Sequence, residues 1–361
     1  MSCTHDALPA IRMQADLQNL GGACAIAAVI AARSGVAPRQ LDVRRLQEQL
    51  VRAGALPAAL PDRPLPESRP TDAALRDLVD GLTGDEPFYI DMGFDDRQTE
   101  PMTLVRVCTA GERILPLLEA AYRNARPTEG ARRVLLARLL AWYGSARGLE
   151  TLCQEIERGL APGVLPARES KIRHAGLPPD QGAMPSLCYL IFTLAMIRTA
   201  PESTERNRIL AVLRRVVDCV RPRAEDFRDR TKGVFHYVEA VCHVAERLGD
   251  PRIVPLLLAL HTRDGLHDLH AAGPEPDFFL ERMAYLEVTL GRALARCGAA
   301  EGVRLLAGYL DDARAILAEH AHDELIAVCG EDFGKDGRAW LEWLAGRHER
   351  LTPRPWTQRI D

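Results

Sequence analysis

One thirteen-residue pattern recurs along the chain and limits what it can fold into. "AGERILPLLEAAY" (110–122) and "GDPRIVPLLLALH" (249–261) match at Arg113/Arg252, Ile114/Ile253, Leu115/Val254, Pro116/Pro255, Leu117/Leu256 and Leu118/Leu257. Looser copies are "GSARGLETLCQEI" (144–156) and "GAAEGVRLLAGYL" (298–310). Three copies share one grammar. A helix-patterned segment ends on a glycine (Gly144, Gly249, Gly298), a short turn follows, and a second helix opens with apolar residues at the same offsets. Those residues are Leu149 and Leu152, Val254 and Leu257, and Val303 and Leu306. The segments ahead of the glycines, "ARRVLLARLLAWYG", "VFHYVEAVCHVAERLG" and "RMAYLEVTLGRALARCG", have helical periodicity. One such pair leaves its apolar side in water, so pairs must stack to make a core.

The pattern therefore predicts a mostly α fold over 111–349, a HEAT-like α-α superhelix of stacked antiparallel helix pairs. The intervals between copies are uneven, which implies insertions. The largest, "APGVLPARESKIRHAGLPPDQGA" (161–183), is polar and proline-rich, and loops of that length are functional or disordered. Ahead of the repeats, "ALPAALPDRPLPESRP" carries Pro57, Pro61, Pro64, Pro66 and Pro70, a density that stops helices and marks a boundary. A helix from Thr71 to Leu82 and two β-like stretches, "PFYIDMG" and "TLVRVCT", come next. The expected division is an N-terminal block over 1–56, a linker and small mixed segment over 57–110, the repeats over 111–349 and a tail over 350–361.

With 361 residues, 47% of them hydrophobic, the chain has room for two or three domains. A net charge of -4 argues against coating nucleic acid, which needs a broad positive face. "DFRDRTKGVFHY" (226–237) and "RESKIRH" (168–174) are only locally basic. The nine cysteines stand singly, without a C-x-x-C pair, as free thiols of a reducing compartment do. The longest apolar run, Leu20 to Ala32, is too short to span a bilayer. These features predict a cytoplasmic protein with no membrane partner.

The N-terminal block follows a different rule. Gly21, Gly22, Ala23, Ala25, Ala27, Ala28, Ala31 and Ala32 cover every face of a predicted helix from about Leu20 to Ala32. Such a helix suits a place where backbones approach closely, or where its N-terminus meets a ligand. Asn19 is placed to cap it and Gly35 to end it. "PRQLDVRRLQEQLVRAG" follows as a second helix, with Pro38 near its start, Gly54 at its end, and Leu41, Leu46 and Leu50 on one side.

The stretch from His5 to Pro57 resembles the end of the flavin domain in a bacterial family of FAD-dependent oxidoreductases that carry a HEAT-like helical tail. There an arginine- and glutamine-bearing loop leads into a small-residue helix and then a G-V-x-x-R-x-L-D-V-x-x-L-Q segment, here Gly35 to Gln47. "RPLPESRPTDAALRDLVDGL" resembles the family's linker, and "GAMPSLCYLIFTLAMI" and "FHYVEAVCHVAERLGDPRIVPLL" its tail. The resemblance implies FAD as cofactor, with Arg12, Gln14, Gln18, Asn19 and Gly21 facing the flavin. It assigns no catalytic residue. A helix N-terminus and an arginine stabilise the negative charge of reduced flavin. Gly22 stands where the family tends to have an aromatic, and Ala25 near where it has a glycine. No G-x-G-x-x-G strand–turn–helix unit occurs in this sequence. The expectation is the C-terminal region, or a truncated relative, of such an oxidoreductase. It would be inactive alone, and its partner would be an upstream flavoprotein half or another protein. The alternative is a non-catalytic HEAT-like interaction scaffold.

Two histidine-bearing constellations remain. His236, Glu239 and His243 share one helix face, but amphipathic helices produce such triplets and no H-E-x-x-H is present, so no metal is expected. "LHTRDGLHDLH" groups His261, Asp264, His267, Asp268 and His270 in what reads as a solvated inter-repeat loop. "EHAHDE" (319–324) reads as an exposed helix face.

Overall fold

The computed structural model describes residues 14–58, 70–84, 103–161, 163–167, 184–229, 232–271, 273, 278–347 and 351–356. These residues form fifteen α-helices and no strand. The chain divides into two compact units, Met1–Pro70 and Thr71–Asp361.

The first unit holds α1 (Gln14–Ser34) and α2 (Val43–Arg52). Asn19 lies inside α1 and does not cap it. Gln14, Ala15, Leu17 and Gln18 are good helix formers and carry the helix past the predicted start. At the other end Gly35 takes φ 65°, and the Val36 N–H returns to the Ala31 carbonyl at 3.2 Å. This closes the helix by satisfying one of its last carbonyls. Asp42 caps α2 by accepting from the Arg44 N–H at 2.9 Å. The two helices pack on each other, with Ala31 and Leu50 buried.

The second unit opens with α3 (Asp72–Asp80), capped by Thr71. Next comes α4 (Thr103–Thr109), which is the "TLVRVCT" stretch that reads as β-like. Its β-branched composition is overridden by packing. Leu104 and Val107, three apart, are both buried on one helical face, and α4 packs on α6. "PFYIDMG" and residues 168–183 of the long insertion lie outside the described residues.

The remaining helices are α5 (Leu115–Asn124), α6 (Gly130–Trp142), α7 (Leu149–Gly159), α8 (Ser186–Leu194), α9 (Thr204–Cys219) and α10 (Val234–Leu248). They continue as α11 (Val254–His261), α12 (Phe278–Arg296), α13 (Ala300–Gly308), α14 (Ala315–Cys329) and α15 (Gly337–Ala345). The even-numbered helices from α4 to α14 pack each on the next and form one layer. Odd-numbered helices form the other, with α3 on α5, α7 on α9, α9 on α11 and α13 on α15. The result is an α-α superhelical stack.

Gly144, Gly249 and Gly298 all have positive φ and stand between α6 and α7, α10 and α11, and α12 and α13. A turn this short makes the two helices antiparallel neighbours. Leu149, Leu152, Leu257, Val303 and Leu306 are buried and Val254 is partly buried. The core is a relay of three apolar clusters: one from α3 to α6, one from α6 to α12, one from α12 to α15.

Candidate functional site

Residues 351–356 run as a strap across the C-terminal ends of α10, α12 and α14. The Arg354 N–H donates to the Arg296 carbonyl at 2.9 Å, and the Trp356 N–H to the Glu246 carbonyl at 2.8 Å. Two arginines that each stand two residues before a repeat glycine return the contact. Arg296 Nη1 donates to the Arg354 carbonyl at 3.3 Å, and Arg247 Nη1 to the Trp356 carbonyl at 3.2 Å. The repeat glycines form the floor. A Cβ on Gly249 would stand 2.8 Å from Pro355, and one on Gly298 3.0 Å from the Leu351 carbonyl. These glycines thus serve twice, for a left-handed backbone and for close approach.

Beneath the strap lies a charged network. Arg292 and Arg296 are four residues apart on α12 and share one face. Arg292 Nη2 donates to Glu246 Oε2 on α10 at 2.9 Å, and Arg296 Nη2 to Glu324 Oε2 on α14 at 3.0 Å. Both guanidiniums stack on the Trp356 ring, at 5.1 and 4.8 Å from its centroid. Arg292, Arg296, His320, Glu324, Arg354 and Trp356 help line a cavity of about 1000 Å³.

Glu246 is only 2% exposed. Burial pushes its carboxyl up to about 7; Arg292 opposes that shift and Glu324 adds to it. Glu246 Oε1 and Arg292 Nε have no hydrogen-bond partner among the described residues. A carboxyl that changes charge near neutrality, behind two guanidiniums at a cavity, is the kind of perturbed group that marks working sites. It can take and release a proton, and the arginines can hold an anion.

Sequence reasoning did not single out Glu246, Arg292, Arg296 or Trp356. It placed Glu324 on an exposed face, and this is corrected: Glu324 is buried and paired with Arg296. An available signal was the charged residue in the last helical turn ahead of a repeat glycine, as at Glu246, Arg247 and Arg296.

The histidine groups separate. His236 Nδ1 lies 3.3 Å from Glu239 Oε2. His243 turns against Phe192, with 5.2 Å between ring centroids, and burial takes its pKa down to about 4. Among the described residues no group of three His, Cys, Asp or Glu side chains could hold a metal. The loop with His261 to His270 is fastened rather than merely solvated. Buried Glu287 accepts from the Asp268 and Leu269 N–H groups and the Tyr309 hydroxyl, and pairs with His261 at 3.0 Å.

Of the residues expected at a flavin, Arg12 lies outside the described residues, as do the side chains of Gln14 and Asn19. Gln18 and Gly21 are exposed, and no atom comes within 4 Å of a Cβ built on Gly21 or Gly22. The same block supplies the one comparison that gives a match. A family model described as FAD dependent oxidoreductase matches residues 1–50. No curated protein and no solved structure matches the chain. At family level the N-terminal block is therefore similar to an FAD-dependent oxidoreductase. Among the described residues no helix is long and apolar enough to cross a membrane.

Proposed function

We propose that this chain supplies the closing helical segment of an FAD-dependent oxidoreductase, and that its HEAT-like helical region shapes a substrate or partner surface. The observation that carries this reading is the family match over residues 1–50, the segment that contains α1. FAD would be held mostly by residues outside this chain, since its 361 residues contain no G-x-G-x-x-G unit. Arg12, Gln14, Gln18, Asn19 and Gly21 would face the flavin, where positive charge and helix N–H groups favour the reduced anion. Glu246 would serve the helical region's own ligand.

The test is reconstitution. Alone, the purified chain should be colourless. Mixed with the Rossmann half of a family member, it should form a complex that retains FAD. Arg12→Ala should then lower the flavin midpoint potential, because the arginine stabilises the reduced form. Stoichiometric FAD on the isolated chain would sink the claim that binding residues lie elsewhere. Failure to associate with any such half would favour the scaffold reading. That second reading draws on one observation: the family match stops at residue 50, while the helical unit has a core of its own.

A further inference from the structure

We propose that the cavity beneath the C-terminal strap is a binding site for a small organic carboxylate. The inference does not rest on the flavin reading. Its first support is shape. About 1000 Å³ is the upper end of the usual size for a small-molecule site. The wall is mixed: Pro353, Pro355 and Trp356 offer apolar surface, and three guanidiniums offer donors. A carboxylate with an apolar body uses both.

Its second support is charge. Arg292, Arg296 and Arg354 line the cavity against Asp323 and Glu324, with Glu246 directly behind. The arginines and carboxylates balance when Glu246 is ionised and leave one positive charge when it is protonated. Among the described residues Arg292 Nε and Glu246 Oε1, both buried, have no hydrogen-bond partner. A divalent cation is disfavoured by the arginines. The negative dipole ends of α10 and α12, in whose last turns Glu246 and Arg296 sit, oppose a dianion such as phosphate about twice as strongly as a monoanion, which the three arginines can offset. A monoanion remains.

An arriving carboxylate adds negative charge near Glu246 and so draws a proton onto it. Glu246 is faced by Tyr285, Arg292 and Arg296 from α12 and by Cys297 just after it, by Glu324 from α14, and by Cys242 on its own helix. The thiols and the phenol are all pushed up and stay protonated near neutrality. His320 also lines the cavity, so its replacement is the control.

The test is titration calorimetry of the full chain with benzoate, its neutral isostere benzamide, and inorganic phosphate, in two buffers of different ionisation enthalpy. Benzoate should saturate one site per chain, with benzamide and phosphate at least about tenfold weaker. Arg354→Gln, at a side chain that joins neither buried pair, should weaken benzoate by about tenfold. Proton uptake should appear in the parent and in His320→Asn, and vanish in Glu246→Gln. Absence of saturable benzoate binding would overturn the proposal. So would equal binding of benzamide, tighter binding of phosphate, or full affinity in Arg354→Gln.

Discussion

Helices α1 and α10 are both rich in small and aliphatic residues, yet they do opposite things. Ten of the fifteen residues of α10 are buried. On α1, Ala31 is the one buried side chain among those described, while Leu20 and Val29 are 39% and 48% exposed. The difference lies in what the side chains offer. Val238, Val241, Val244 and Leu248 give α10 enough apolar area to hold it between α8 and α12. Glycine and alanine give α1 little area to bury. What they permit is close backbone approach, which stabilises only when another body supplies the contact.

That contrast can be broken at its strongest point first. Leu257 and Leu306 are fully buried in the helical unit. Leu→Ala at either should cost ~2–5 kcal/mol by equilibrium urea unfolding, from lost burial and the cavity left behind. A cost under about 0.5 kcal/mol, ordinary for a surface site, would remove that residue from the core.

The next effect is on pH dependence. The Glu246 pKa in the fold, about 7, lies above its ordinary value of 4.5. Its contribution to stability is therefore fully present below the ordinary value and is lost as pH rises through about 7. The loss is on the order of 3 kcal/mol. Glu246→Gln should remove this slope, leaving a flatter stability profile across neutrality. An unchanged profile would show that Glu246 titrates normally.

A smaller effect is expected at the strap. Gly249 has φ 54° and Pro355 against it, so Gly249→Ala should cost about 1–3 kcal/mol and displace the strap. Trp356 fluorescence should shift with it. A neutral substitution would mean that the strap does not rest there. Smallest of all, Val29→Ala on α1 should change stability by less than about 0.5 kcal/mol, which sharpens the contrast with Leu257.

Much of the fold was legible because the repeat glycines and the apolar offsets behind them are local signals. Gly144, Gly249 and Gly298 fix turns by backbone geometry alone, and Leu152, Leu257 and Leu306 follow by helical spacing. "TLVRVCT" was misleading because its β-branched residues are locally ambiguous, and packing on α3 and α6 decides for a helix. The charged site was illegible for a different reason. Glu246, Arg292, Glu324 and Trp356 belong to three helices and the C-terminal strap, and nothing in the sequence brings them together. The repeat glycines could be read as helix ends but not as the floor under Pro355 and Leu351. The family resemblance of the N-terminal block was readable from its small-residue helix and the segment after it, and the family match covers residues 1–50.

On the proposed reading, another body completes the N-terminal block while the helical unit stands by itself. Hydrogen exchange on the isolated chain tests it most directly. Amides of α1 should exchange through small local openings, and those of α10 and α12 only through global unfolding. Adding a flavin-domain half should slow α1 and leave α10 unchanged, because binding stabilises only the docked form. Exchange from α1 as slow as from α12 in the isolated chain would overturn that reading.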